Sequence, residues 1–120
     1  MQEGIKFDLE ERLAKFAESV IDLLKKIPQN SINSRMISQE IGAAGSSGAN
    51  YNEATEAESK KDFIHKNCIA KKELKESKHW LRLLARANPE FIEDFRELWR
   101  ENHELVLIFS KIINTSRSKN

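Results

Sequence analysis

The run Gln39-Glu-Ile-Gly-Ala-Ala-Gly-Ser-Ser-Gly-Ala-Asn-Tyr-Asn-Glu-Ala54 decides how the chain is read. Gly42, Gly45 and Gly48 fall at intervals of three within it. Each glycine in a helix interior costs about 1 kcal/mol relative to alanine. A helix through this run is therefore weak alone and has to be held by its neighbours. The rival reading is a phosphate-binding loop. That loop needs a strand before it, and its Walker form ends in Gly-Lys-Ser or Gly-Lys-Thr. Neither feature is present. Ile37, Ile41, Ala44, Gly48 and Tyr51 instead keep helical spacing straight through the run, which predicts a thin buried stripe with small residues for close helix packing.

Working outward, both flanks carry stronger helical patterns. Leu9, Leu13, Phe16, Ala17, Val20, Leu24 and Ile27 recur at three and four, which predicts a helix over 8–27. Asp8 and Glu11 have the spacing of an N-cap and its partner, and Pro28 marks the end. Asn30 or Ser31 then caps a second helix over 31–57. Ser59 and Asp62 open a third over 60–87, with Phe63, Asn67, Ala70, Leu74, Ser77, Leu81 and Leu84 on its inner face. Asn88-Pro89-Glu90 reads as cap, first helical residue and first-turn acid of a fourth helix, over 89–115. Phe91, Phe95, Leu98, Asn102, Leu105, Phe109 and Ile112 line that helix, and the polar tail from Asn114 is expected to fray. Short connections join antiparallel neighbours. The expectation is all-α: one domain over 1–120, an antiparallel up-down-up-down four-helix bundle.

Composition narrows the function by exclusion. A net charge of +1 over 120 residues gives no general pull toward nucleic acid or membrane, so any such attraction is local. The single Cys68 cannot make an internal disulfide, and the amino-terminal residues are too polar for a signal peptide; both favour the cytoplasm. No apolar run approaches the roughly 18 residues of a membrane span. Glu76-x-x-His79 has dimetal-bundle spacing, but that chemistry needs a matching pair on another helix and two further inward Glu. Cys68 with His65 lacks a third orienting group. No metal, cofactor or catalytic residue is expected, and the chain is not read as an enzyme.

Charge placement is more informative. From Glu58 to Arg86 nine Lys or Arg stand against four acids, a local excess of +5, while the second and fourth helices are each at −2. Lys61, Lys72, Lys75, Arg82 and Arg86 fall near one face of the third helix and are the expected phosphate contacts, with Arg35 and Lys66 as secondary positions. No aromatic residue interleaves with this face in sequence, so base stacking is not expected. Ile69, Trp80 and Leu83, with Trp99 and Val106 in the fourth helix, lie beyond what one bundle seam requires. They are expected at an oligomer interface, since monomers rarely leave large apolar patches in water.

Several stretches resemble one known family. Gln39-x-Ile41-x-x-Ala44-x-Ser46-x-x-x-Asn50-Tyr51-x-Glu53-Ala54 is one, Glu58-Ser59-Lys60-Lys61-Asp62-Phe63-Ile64 another. Ile69-Ala70-x-Lys72-Glu73-x-x-Glu76 and Trp80-Leu81 complete the likeness. Together they are similar to the bacterial 23S rRNA intervening sequence proteins. The glycines at 42, 45 and 48 exceed what that family leads one to expect. The resemblance implies a four-helix bundle without established enzymatic activity that assembles as a homopentamer. Through its likeness to accessory proteins of diversity-generating retroelements, it also implies RNA or DNA and a reverse transcriptase as partners; a ribosomal factor is the alternative protein partner expected of an adaptor. Two functions follow as expectations: an oligomeric scaffold with weak electrostatic nucleic-acid binding, or a protein-interaction adaptor without direct nucleic-acid contact.

Overall fold

The apolar stripes become four long helices in the computed structural model, which describes residues 2–119, with side chains from Asp8 onward. They are α1 (Gln2–Leu24), α2 (Asn33–Thr55), α3 (Lys60–Ala87) and α4 (Ile92–Ser118), with a 3-10 turn at Pro89–Phe91 before α4. Asp8 is not a cap: α1 runs through it from Gln2. The fourth helix also runs further than expected, to Ser118, so most of the polar tail is helical; Asn120 lies outside the described residues.

Local chemistry explains the boundaries. The Asn30 carboxamide oxygen accepts from the backbone N–H of Ile32 (3.0 Å) and Asn33 (2.8 Å), and its carbonyl accepts from Ser34 N–H. Asn30 thus satisfies donors that the start of α2 would otherwise leave free. Ser59 Oγ does the same for Asp62 N–H at 3.0 Å and opens α3 where the spacing predicts.

Cross-helix pairs fix the directions. Glu40 meets Ser77 and Glu53 meets Lys66, so α2 and α3 run antiparallel. Asn102 meets Ser77 while Arg117 meets Cys68, so α3 and α4 do too. α3 lies against α2 and α4, and α1 lies against the same two. The result is a rod of 50 × 23 × 19 Å around a single core. Phe16, Phe95 and Phe109 are buried along it, and Tyr51 meets Phe109 edge-on across the bundle (5.7 Å between centroids, 83°). Val106, expected at an interface, belongs to this core at 8% exposure; its neighbours in the same chain account for its apolar character.

The glycine-bearing run is an unbroken part of α2. Its packing differs from expectation. Ala43, Ala44 and Ser47 supply the buried small surface, together with Ile37, Glu40 and Tyr51. Ile41 is 43% exposed, and nothing stands within 4 Å of a Cβ added at Gly42 or Gly45. At Gly48 an added Cβ would meet Leu13 Cβ at 3.7 Å, an ordinary contact. The stripe therefore sits about one position away from the line drawn through Ile41 and Gly48.

Asn88 departs from its expected role as the cap of the fourth helix. Its side chain is buried and turns back. Asn88 Nδ2 donates to Asn33 Oδ1 (2.9 Å) and to Leu84 O (3.0 Å), while Asn33 Nδ2 donates to Asn88 Oδ1 (3.0 Å) and to Pro28 O (2.9 Å). The paired carboxamides tie the α1–α2 turn to the α3–α4 turn at one end of the rod. Because neither Gly42 nor Gly45 has a neighbour that a methyl would strike, Gly42→Ala and Gly45→Ala should each stabilise the chain by about 1 kcal/mol in urea unfolding. A loss of stability in either variant would show that the glycine is sterically required.

Candidate nucleic-acid interface

The outer face of α3 carries the proposed phosphate contacts as one ridge. Lys61, Lys72, Lys75, Arg82 and Arg86 are all exposed and recur at helical intervals. At 1.5 Å per residue the ridge spans about 37 Å. None of the five forms an ion pair among the described residues. Lys66 differs. Its ammonium lies 2.7 Å from Glu53 Oε1, and that bond raises its pKa, so the charge is already engaged across the α2–α3 seam. Arg35 is exposed on α2, away from the ridge.

The two ends of the ridge open into depressions. Near the start of α3, Lys60, Lys61, Ile64 and Arg117 line one of about 500 Å³. Arg117 also lies 3.6 Å from the Cys68 thiol. Toward the end of α3, a larger depression of about 640 Å³ runs between α3 and α4. Arg82, Arg86 and Arg96 supply its charge, and Leu81, Phe95 and Trp99 part of its apolar wall. No acidic residue among the described residues lines either one. Arg96 is held by Glu93 at 2.7 Å, on the α4 surface.

Trp99 was expected at an oligomer interface with Ile69, Trp80 and Leu83, but the fold separates it from them. Those three share a stripe on α3, half-buried or 37% exposed for Leu83. Trp99 stands on α4 against the basic side of α3. His103 stacks on its indole (5.4 Å, 8°), and Lys78 Nζ sits 4.2 Å from the ring centroid. Lys78 Nζ also donates to His103 Nδ1 at 2.8 Å, so both partners cover the same face of the indole. An aromatic side chain does therefore accompany the basic face, contrary to the sequence reading. The missed signal was the antiparallel register of α3 and α4, which brings position 99 beside 78. Leu107, exposed at 55%, was also missed as a surface apolar residue.

The other unusual chemistry lies inside the bundle. Glu40 is fully buried. Its Oε2 accepts from Ser77 Oγ at 2.6 Å, while Asn102 Nδ2 donates to Ser77 Oγ (3.3 Å) and Leu74 O (2.9 Å). Neither Glu40 Oε1 nor Asn102 Oδ1 has a partner among the described residues. Burial pushes the Glu40 carboxyl up to about 8, opposed by the Ser77 hydrogen bond and assisted by Glu76. Perturbed carboxyls of this kind often mark reaction centres. Glu40 lines neither depression, so its position suits an internal tie between α2, α3 and α4. Glu76 and His79 both point to solvent. Among the described residues no three His, Cys, Asp or Glu side chains gather as a metal site would require.

Fold and surface together define a helical-bundle protein with one basic, partly apolar outer face. The chain belongs to the 23S rRNA-intervening sequence protein family, whose model matches residues 6–111. A crystal structure described as a protein of unknown function from the S23 ribosomal protein family of Bacteroides thetaiotaomicron superposes with a TM-score of 0.77. The two share 30% identity, over 88% of this chain and 97% of that one. No curated protein matches the chain.

The Glu40 carboxyl sets a pH dependence whose sign follows from its surroundings. Its folded value, about 8, lies above its ordinary value of 4.5. Between those limits the folded chain binds more protons than the unfolded one, so stability is full below 4.5 and drains away as pH rises toward 8. Glu40→Gln keeps the shape and stays neutral. In denaturant titrations from pH 5 to 9 it should flatten the decline and be the more stable form at pH 9, by a few kcal/mol. An unchanged profile would mean the carboxyl is better solvated than its burial indicates.

Proposed function

We propose that the protein is a non-enzymatic, oligomeric four-helix scaffold of the cytoplasm that holds RNA or DNA through the basic ridge of α3. The observation that carries this reading is the row of five exposed cations on one helix, Lys61, Lys72, Lys75, Arg82 and Arg86, none in an ion pair among the described residues. Phosphate contacts of this kind need no base recognition, and they release counterions when made. The family membership is consistent with such a role.

Oligomerisation is argued from a separate stripe. Ile69, Trp80 and Leu83 run along α3 away from the depression that Trp99 lines, and Trp80 Nε1 is buried without an acceptor. Ile41 and Leu107 add exposed apolar surface on α2 and α4. A pentamer is the assembly that the family resemblance implies. A reverse transcriptase or ribosomal factor would bind such a ring as an additional protein partner. No helix among the described residues is long and apolar enough to cross a membrane.

Two measurements test the reading. RNA or DNA should be retained at low ionic strength, with log affinity falling linearly against log salt. Replacing Lys72, Lys75 and Arg82 together by Gln should reduce that slope by about 2 for a single strand, at roughly 0.7 per phosphate contact. An unchanged slope places the contacts elsewhere, and no retention at low salt removes the nucleic-acid role. Light scattering should give five times the chain mass of 13.9 kDa, and a concentration-independent monomer mass would refute the oligomer.

A further inference from the structure

We infer that the depression between α3 and α4 is a pocket for an unpaired nucleobase, with Trp99 as its stacking platform and Arg82 and Arg86 on the flanking phosphates; this rests on the nucleic-acid role proposed above. Three observations converge here. First, Trp99 is 39% exposed, and Lys78 and His103 occupy a single face of its indole. The opposite face is left to border the depression that the residue lines. Second, the accessible part of the adjoining wall, Ala85, Pro89 and Ile92, is apolar, with Leu81 and Phe95 buried behind it, and it suits the edge of a flat aromatic ring. Third, Arg82 and Arg86 stand one helical turn apart on the rim, each without an ion pair among the described residues.

The alternative occupant is an acidic amphipathic peptide, which would also suit an apolar floor with a cationic rim. The indole argues for the base. Its partners hold the ring in one orientation, with Lys78 over one π-face and Arg82 and Arg86 on the rim. A flat platform flanked by cations is what bases and backbone of a single strand require. A peptide helix reads a groove through anchors at three- and four-residue intervals and has no need of an orientated ring. Duplex bases are stacked on each other and cannot enter without being extruded. The pocket therefore separates single-stranded from duplex ligands, a distinction the ridge alone does not make.

The test compares fluorescence anisotropy of a short labelled mixed-sequence RNA strand with that of its duplex at fixed low salt. Wild type, Trp99→Ala, Trp99→Phe and Arg82→Gln/Arg86→Gln are titrated. Wild type should favour the single strand. Trp99→Ala should weaken single-strand binding about tenfold or more, with duplex binding and the salt slope unchanged. Trp99→Phe should recover part of the loss, whereas the double Gln variant should weaken both ligands. In a Trp80→Phe background Trp99 is the one remaining indole, and its emission should be quenched by the single strand and not by the duplex. Circular dichroism melts confirm that each variant folds.

Single-strand binding that persists unchanged in Trp99→Ala overturns the pocket while leaving the electrostatic ridge intact. Absence of binding to either nucleic acid overturns both. Trp99-dependent binding of a Glu- and Leu-rich peptide, with no competition from the RNA strand, overturns the nucleobase assignment in favour of a protein partner.

Discussion

Axial register is the constraint on which the rest of this molecule depends. A stripe of leucines and phenylalanines draws helices together but tolerates sliding, because apolar attraction has no direction. Two sets of buried hydrogen bonds remove that freedom. At mid-height Glu40, Ser77 and Asn102 join α2, α3 and α4. At one end the Asn33 and Asn88 carboxamides clasp the two turns. A displacement of one helical turn would strand each group in a medium without water, at a cost of about 1–3 kcal/mol apiece. The same register sets the outer surface. It places Trp99 against Lys78 and puts Arg82 and Arg86 beside Arg96, so the depression between α3 and α4 depends on the locked interior.

α3 is the wall that α2 and α4 share. Its inward side carries Asn67, Ala70, Leu74, Ser77, Leu81 and Leu84, all buried, while its outward side carries the ridge. Segregating charge from packing in this way keeps the five cations exposed, with no ion pair among the described residues. An exposed ion pair contributes little to stability, so leaving five cations without partners costs the fold little. The acids of α2 and α4 engage Lys66 and Arg96 instead. α3 is thus free to present its charge to an anion.

Much of this was legible from spacing alone, because buried apolar residues at three and four are a direct imprint of helical geometry. Leu13, Phe16, Leu74, Leu84, Leu105 and Phe109 all lie where that pattern puts them. The departures share a cause. Asn88 before Pro89 satisfies a local rule for helix caps, yet its side chain is recruited by Asn33, 55 positions away in sequence. Asp8 and Glu11 imitate a start inside a helix that is already running. Glu40 falls at helical spacing from Ile37 and Ala44, but a carboxylate is not normally counted as core. Gly42 and Gly45 suggested crowding, and their surroundings are open. Trp99 and Val106 are close in sequence and in type, and only the packed helices show one lining a groove and the other filling the interior.

α1 occupies a different position from its three companions. It rests on α2 and α4 without approaching α3, takes no part in the mid-height hydrogen bonds, and is strapped sideways by the Arg12 guanidinium forking onto Glu101 at 2.7 and 3.1 Å. Its hold on the bundle is otherwise apolar, through Leu13, Phe16, Val20 and Leu24, all buried in the shared core. Apolar attraction has no direction, so α1 is held by shape and one charged clasp where its companions are held by buried polar groups. The rod is in this sense three pegged staves and a fourth that is clamped.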